Sequence, residues 1–416
     1  MEAVAEREIF GLVERLEAAD EINNASINLV PSENRISPMV ARSMRLDFYN
    51  RYFFNDELTD AGWWYRGGES VGDIQARTGT AALSRLARAE HVNMRPISGM
   101  TAMLVVLLGL GGRAGSSVVS VNPLSGGHYA TAALIERVGR RSRVVGQHAG
   151  RVDTDGLRDV LTTERVPLIY LDLQNTLHEL DVREVVNVVR ECSPRTRVHV
   201  DCSHTLGLIL GGAHANPLDS GADSMGGSTH KSFPGPQKGV LFTRDASVAD
   251  DLRAAQYDSI SSHHFAATLG LSIAAAEYEV FGQAYAAQVL KNAQILGAAL
   301  EERGVEPLRE ASVITRTHQL WLSIGTDEQV TGFSTALASA GIRANILPDI
   351  PGATGLAMRL GVNEVTFEGA DEQSMVELAD IFALVRDGQI DQAAKMRESL
   401  RQGFGKPYFF RNPDLG

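Results

Sequence analysis

STHKSFPGPQKG, residues 228–239, sets Lys231 directly behind Thr229 and His230 and just ahead of a Pro234-Gly235-Pro236 corner. Most lysines lie along the surface with the ammonium in water. This one sits on a short polar run that a stiff turn carries into the next apolar stretch, KGVLFT (238–243). That stretch belongs to a series: SSVVSVN (116–122), SRVVGQH (142–148), PLIYLDL (167–173) and RVHVDCSH (197–204). These runs are rich in β-branched residues and nearly continuous in apolar character, as strands covered on both faces are. Helical patterns such as LSGGHYATAALIERVG (124–139) and DVREVVNVVRECS (181–193) alternate with them. That order predicts an α/β unit with a mostly parallel sheet.

Outside this region the pattern changes. After about residue 265 a long helical stretch runs to Gly304, followed by the strand candidates THQLWLSIG (317–325) and GLAMRLGV (355–362). Before it come one helix and INLVPSENRISPMV (27–40). The expected division is an N-terminal arm over 1–55, a large domain over 56–285 and a smaller α+β domain over 286–416.

Composition narrows the function. Lys and Arg number 39 against 51 Asp and Glu, a net charge of -12. That balance argues against nucleic acid and against an anionic membrane surface as partners. The longest apolar run, MLVVLLGLGG (103–112), is too short to span a bilayer. Cys192 and Cys202 have no metal-site spacing, and the acidic, amphipathic N-terminus does not resemble a signal peptide. The expected setting is reducing and cytoplasmic.

Ligands of open α/β sheets bind outside the carboxyl ends of the strands. Asp201 ends one apolar run, and His204 stands three residues on. Thr229, His230 and Lys231 fall at the same edge after one more step. Ser98, Gly99 and Thr101 open the apolar helix, where free N–H groups suit a phosphate, although on this segment alone a plain helix cap is the more ordinary reading. His128 comes after a glycine pair. A lysine for covalent attachment, an acid for a pyridinium nitrogen, a phosphate cradle and a flat imidazole are together the parts that hold pyridoxal 5'-phosphate.

Six segments then carry a resemblance: PSENRISPMV (31–40), PISGMTAM (96–103), SGGHYA (125–130), DCSHTLGLILGG (201–212), STHKSFPGPQKG and AMRLGVNEVT (357–366). In this order and spacing the chain resembles the serine hydroxymethyltransferase family, and within it the folate-independent L-threonine transaldolases of antibiotic biosynthesis. The resemblance implies a fold-type I, aspartate aminotransferase-like large domain and a homodimer with its site at the interface. It implies Lys231 as the cofactor's attachment point, Asp201 as partner of the ring nitrogen and His128 as the stacking ring. His204 and Gln174 would lie near the cofactor's ring oxygen, and Ser98 and Gly99 on its phosphate. Ser262 and His263 stand where the family has a loop that reaches the neighbouring subunit's phosphate. Ser32 and Arg359 would take the amino-acid carboxylate, with Tyr52 and Tyr65 on the substrate side.

The departures are on the substrate side. The family's N-K-Y-A-E-G-Y segment reads NRYFFND here, so its glutamate falls on Phe54, and Glu57 lies in the longer aromatic loop beyond it. The run after the lysine reads GPQKG rather than G-P-R-G-G. With the cofactor parts kept and these changed, the resemblance implies aldol-type cleavage and transfer between a β-hydroxy amino acid such as L-threonine and an aldehyde. His128, His230 or Glu57 would serve as the base. Three other outcomes stay open: β-elimination or decarboxylative deamination of a bulky S-conjugated amino acid, true hydroxymethyl transfer, and a silent scaffold.

Overall fold

The computed structural model describes residues 2–52, 62, 64–261 and 263–411. Its centre is a seven-stranded sheet made of β1 (His91–Asn93), β2 (Ser117–Val121), β3 (Arg141–Val145), β4 (Leu168–Asp172), β5 (Arg197–Asp201), β6 (Ser224–Ser228) and β7 (Gly239–Thr243). The spatial order is β1-β7-β6-β5-β4-β2-β3. Strands β2 to β6 pair in parallel, and β7 runs against both of its neighbours. The mostly parallel sheet expected from the apolar runs is what the chain forms. The chain steps from β2 outward to β3 and returns to β4 on the other side, which opens a crevice at the carboxyl ends of β2 and β4.

Strand β6 has no counterpart among the expected strands. Its sequence, SMGGS, lacks the branched residues that favour extended structure, yet every residue is buried. Glycine is required there by close approach. A Cβ on Gly226 would lie 2.2 Å from the Val240 carbonyl oxygen, and Gly227 holds φ +140°.

Two helices set the frame around the sheet. Helix α1 (Glu2–Ala25) leads into a two-residue strand, Ile27–Asn28, that pairs in parallel with Ile342–Arg343. The arm is thereby stitched to the C-terminal part of the chain. Helix α2 (Phe265–Glu302) runs unbroken for 38 residues, about 57 Å at 1.5 Å per residue. The expected division at 285/286 falls inside it. Tyr285 marks the junction: its hydroxyl lies 3.1 Å from Asn34 Nδ2, from the Ser232 carbonyl and from the Asn363 carbonyl. Arm, lysine loop and C-terminal unit meet on that one oxygen.

The C-terminal unit carries an antiparallel sheet of β8 (Gln319–Leu322), β9 (Asn345–Leu347) and β10 (Ala357–Gly361), with β10 in the middle. Helix α3 (Glu372–Arg386) packs this unit onto α2. The tail docks on the body: the Phe410 N–H donates to buried Glu277, and the Phe410 ring lies 4.9 Å from that of Phe281. No helix of the described residues is long and apolar enough to cross a membrane.

Candidate active site

A cavity of about 250 Å³ opens where β1, β2, β4, β5 and β6 end. Lys231 reaches it from the loop after β6. Burial pushes its amine down to about 8, with Arg359 acting in the same direction and Asp201 against it. Its backbone carbonyl is gripped from two sides, by Asn34 Nδ2 at 2.6 Å and Asn363 Nδ2 at 3.4 Å. Nζ lies 3.4 Å from His204 Nε2. The lysine is therefore fixed at both ends and titrates near neutrality, as an amine nucleophile must.

Asp201 caps β5 and faces the same space. Its Oδ2 accepts from the Tyr170 hydroxyl at 2.6 Å and its Oδ1 from the Ser203 N–H at 2.8 Å. Tyr170 arises two residues before the end of β4, on the face the pleat gives it. Arg359, from the middle of the small sheet, is 3% exposed. Its Nη1 donates to Asn175 Oδ1 at 2.8 Å and to the Gln174 carbonyl at 3.3 Å, while Nε has no partner. Burial lowers this guanidinium to about 10.

The helix Gly99–Leu110 points its N-terminus at the cavity. Ser98 and Thr101 form a capping box there, so their hydroxyls serve the cap, as the plain reading of that segment has it. Gly99 lets the helix start pack closely on the end of β6, because a Cβ would lie 2.2 Å from Ser228 Oγ. His128 also lines the cavity, and burial lowers its pKa. His230 lines it with Nδ1 unpartnered, pushed down to about 4 by burial and by Lys231. Both rings are neutral at pH 7, a condition for acting as bases.

Eight of the expected residues thus line one cavity: Ser98, Gly99, His128, Gln174, Asp201, His204, His230 and Lys231. Others do not reach its wall. Thr101 is spent on the cap, and buried Thr229 donates to the Pro236 carbonyl, bracing the Pro-Gly-Pro corner. His263 is buried with Nε2 2.6 Å from Gln75 Oε1. Tyr52 and Tyr65 pair at 5.1 Å on the exposed surface. Ser32 adjoins Pro31, which packs against Gly361 two residues beyond Arg359. Glu57 and Ser262 lie outside the described residues.

Asp172, at the end of β4 opposite Asp201, is a wall residue absent from the expected set. Its Oδ2 accepts from the Thr131 hydroxyl and from the His128 N–H at 3.2 Å, and its buried Oδ1 has no partner. The sequence does carry its signal, since an acid closing an apolar run is the pattern that points to Asp201. A second buried lysine, Lys238, is also absent from that set. Its Nζ turns to the His263 carbonyl at 3.4 Å rather than to the cavity.

The family model for serine hydroxymethyltransferase matches residues 4–382. The chain belongs to the serine hydroxymethyltransferase family. It is a member of the fold-type I pyridoxal-phosphate enzymes, and it is similar to transaldolases within that group. An L-threonine:uridine-5'-aldehyde transaldolase from Streptomyces sp is 50% identical over 97% of this chain and 98% of its own. Another of the same name from Amycolatopsis sp is 47% identical over 97% and 98%. The crystal structure of L-threonine transaldolase from Pseudomonas fluorescens in the internal aldimine state matches with a TM-score of 0.89. It is 25% identical, covering 100% of this chain and 98% of that one.

In this serine hydroxymethyltransferase-family site, burial and the neighbouring Asp201 raise the Asp172 carboxyl from 3.8 to about 7, against the hydrogen bond from Thr131. The folded chain then holds a proton that the unfolded chain releases above 3.8. The stabilisation is complete below that value and is lost as the pH rises through about 7. Asp172→Asn keeps the acceptor for Thr131 and His128 but cannot ionise. Its urea midpoint, compared with wild type across this range, should lack that decline; parallel pH profiles would contradict the assignment.

Proposed function

We propose that this chain is a folate-independent L-threonine transaldolase of secondary metabolism, with pyridoxal 5'-phosphate on Lys231 and an aldehyde of the uridine-5'-aldehyde type as acceptor. The observation that carries the reading is Arg359. A buried guanidinium with a bare Nε, and no carboxylate in ion-pair reach among the described residues, is costly unless a ligand supplies the anion. The α-carboxylate of an amino acid is that anion, and the planar fork suits it. The activity named for relatives 50% and 47% identical supports threonine and a uridine aldehyde as the pair.

The wall residues fit the cofactor. Lys231 offers an amine that titrates near neutrality, Asp201 a carboxylate for the ring nitrogen, and the helix start at Ser98, Gly99 and Met100 backbone N–H groups on the wall. Bound pyridoxal phosphate supplies an electron sink for the amino acid's α-carbon. Arg359 holds the carboxylate and so turns the Cα–Cβ bond of threonine into the orientation that breaks. His128 or His230 takes the β-hydroxyl proton as that bond opens; the electron pair stays with the α-carbon and acetaldehyde leaves. The same α-carbon then bonds to the incoming aldehyde carbon, and the base returns the proton to its oxygen. The overall product is a new β-hydroxy-α-amino acid.

A second copy of the chain completes the proposal. On α1 Ile9, Leu12, Val13 and Leu16 fall at i, i+3, i+4 and i+7, and all are exposed, an apolar stripe that a homodimer covers.

Mixing the full chain with pyridoxal phosphate, L-threonine and uridine-5'-aldehyde in folate-free buffer should release acetaldehyde and yield the new amino acid by mass spectrometry. Strict dependence on tetrahydrofolate, or ammonia or carbon dioxide in place of acetaldehyde, overturns the reading. Arg359→Ala should raise the KM for threonine roughly 30-fold, the equivalent of about 2 kcal/mol for an unpaired buried carboxylate.

A further inference from the structure

His204 is 3% exposed, and each ring nitrogen meets one group. Nδ1 lies 3.3 Å from the side-chain nitrogen of Gln319, and Nε2 lies 3.4 Å from Lys231 Nζ. A neutral imidazole has one donor nitrogen and one acceptor nitrogen, so the position of its proton decides what the lysine faces.

Gln319 determines that position. Its amide nitrogen also donates to the Gln174 carbonyl at 3.0 Å, and its amide oxygen accepts the indole N–H of Trp321 at 3.3 Å. A carbonyl only accepts and an indole N–H only donates, so the amide cannot be turned over without breaking both bonds. Gln319 and Trp321 are 0% and 1% exposed, which leaves no water to compensate. The atom opposite Nδ1 is therefore a donor, Nδ1 is the acceptor, and the ring proton belongs on Nε2.

We propose that Gln319 is a positioning residue that locks His204 in the Nε2–H tautomer, so that a ring donor rather than a ring acceptor faces the amine of Lys231. An ammonium offers only donors and would set N–H against N–H. The free amine has a lone pair for the ring proton, and it is the free amine that attacks a carbonyl carbon. The lock thus adds direction to what burial alone provides. The other charged groups at this pair are Asp201, which favours the protonated lysine, and Arg359, which opposes it. His128, His230 and His318 complete the surroundings, all lowered by burial and uncharged at neutral pH. The functional consequence rests on the assignment of Lys231 to the cofactor, whereas the tautomer itself does not.

The test is nitrogen-15 NMR of the histidine rings in the full chain, with and without added pyridoxal phosphate, His204 being assigned by its loss in His204→Asn. The expected wild-type pattern is a pyridine-type Nδ1 and a pyrrole-type Nε2. In Gln319→Glu a carboxylate oxygen faces Nδ1, the two shifts exchange, and the pH midpoint for capture of pyridoxal phosphate rises by about one unit, a tenfold slowing below the midpoint. If circular dichroism shows that Gln319→Glu does not fold, Gln319→Met replaces it and should give a mixture of tautomers. A wild-type ring protonated on Nδ1, or a folded variant with unchanged shifts and midpoint, overturns the lock. A wild type that never takes up pyridoxal phosphate overturns the cofactor assignment alone, because the ring shifts still decide the tautomer.

Discussion

Taking an amine out of water makes its proton easier to lose, and the site is organised around one amine treated in this way. The loop that carries Lys231 is held by segments far from it in sequence. Asn34 of the arm and Asn363 of the C-terminal unit both donate to its carbonyl, and Tyr285 in α2 touches the loop beside it. The cavity wall comes from the sheet, whereas the grips on the backbone of the lysine loop come from elsewhere in the chain. This accounts for a helix of 38 residues with no break at the expected boundary: a hinge there would let the three grips on the lysine loop move apart.

The charges around the amine are balanced rather than simply opposed. Asp201 would by itself hold Lys231 protonated, and Arg359, beside the Gln174 carbonyl, counters it. Asp172 sits directly beside Asp201 in register, and two carboxylates there would repel. Burial resolves this by keeping Asp172 neutral to about pH 7, so that one negative charge faces the cavity instead of two. Arg359, left with a bare Nε, supplies the remaining attraction for an anion. A desolvated amine, one carboxylate and one unpaired guanidinium are complementary to an amino acid and a pyridine ring together.

Much of this is legible in the sequence because strand ends announce themselves. Asp201, His204 and Lys231 stand out as polar residues at or just past the ends of apolar runs, and Asp172 meets the same criterion. Strand β6 is not legible, because Gly226 and Gly227 answer to close backbone approach and not to strand propensity. The role of Tyr285 is not legible either, because it depends on contacts from three distant segments to one aromatic in a long helix. Gln319 is visible only as part of a strand; its meaning lies in the two bonds that orient its amide. His263 illustrates the converse. A polar residue in the right part of the sequence folds inward onto Gln75, and spacing alone does not reveal that contact.

Two buried lysines with lowered pKa lie seven residues apart, which makes the choice between them the sharpest test. Lys231 titrates at about 8 and faces the cavity; Lys238 titrates at about 7 and faces the His263 carbonyl. Borohydride reduction of the protein mixed with pyridoxal phosphate, then digestion and mass spectrometry, identifies the amine that captured the aldehyde. The expected result is a single reduced adduct on Lys231. An adduct on Lys238 in its place, or none on either lysine, would contradict the site described.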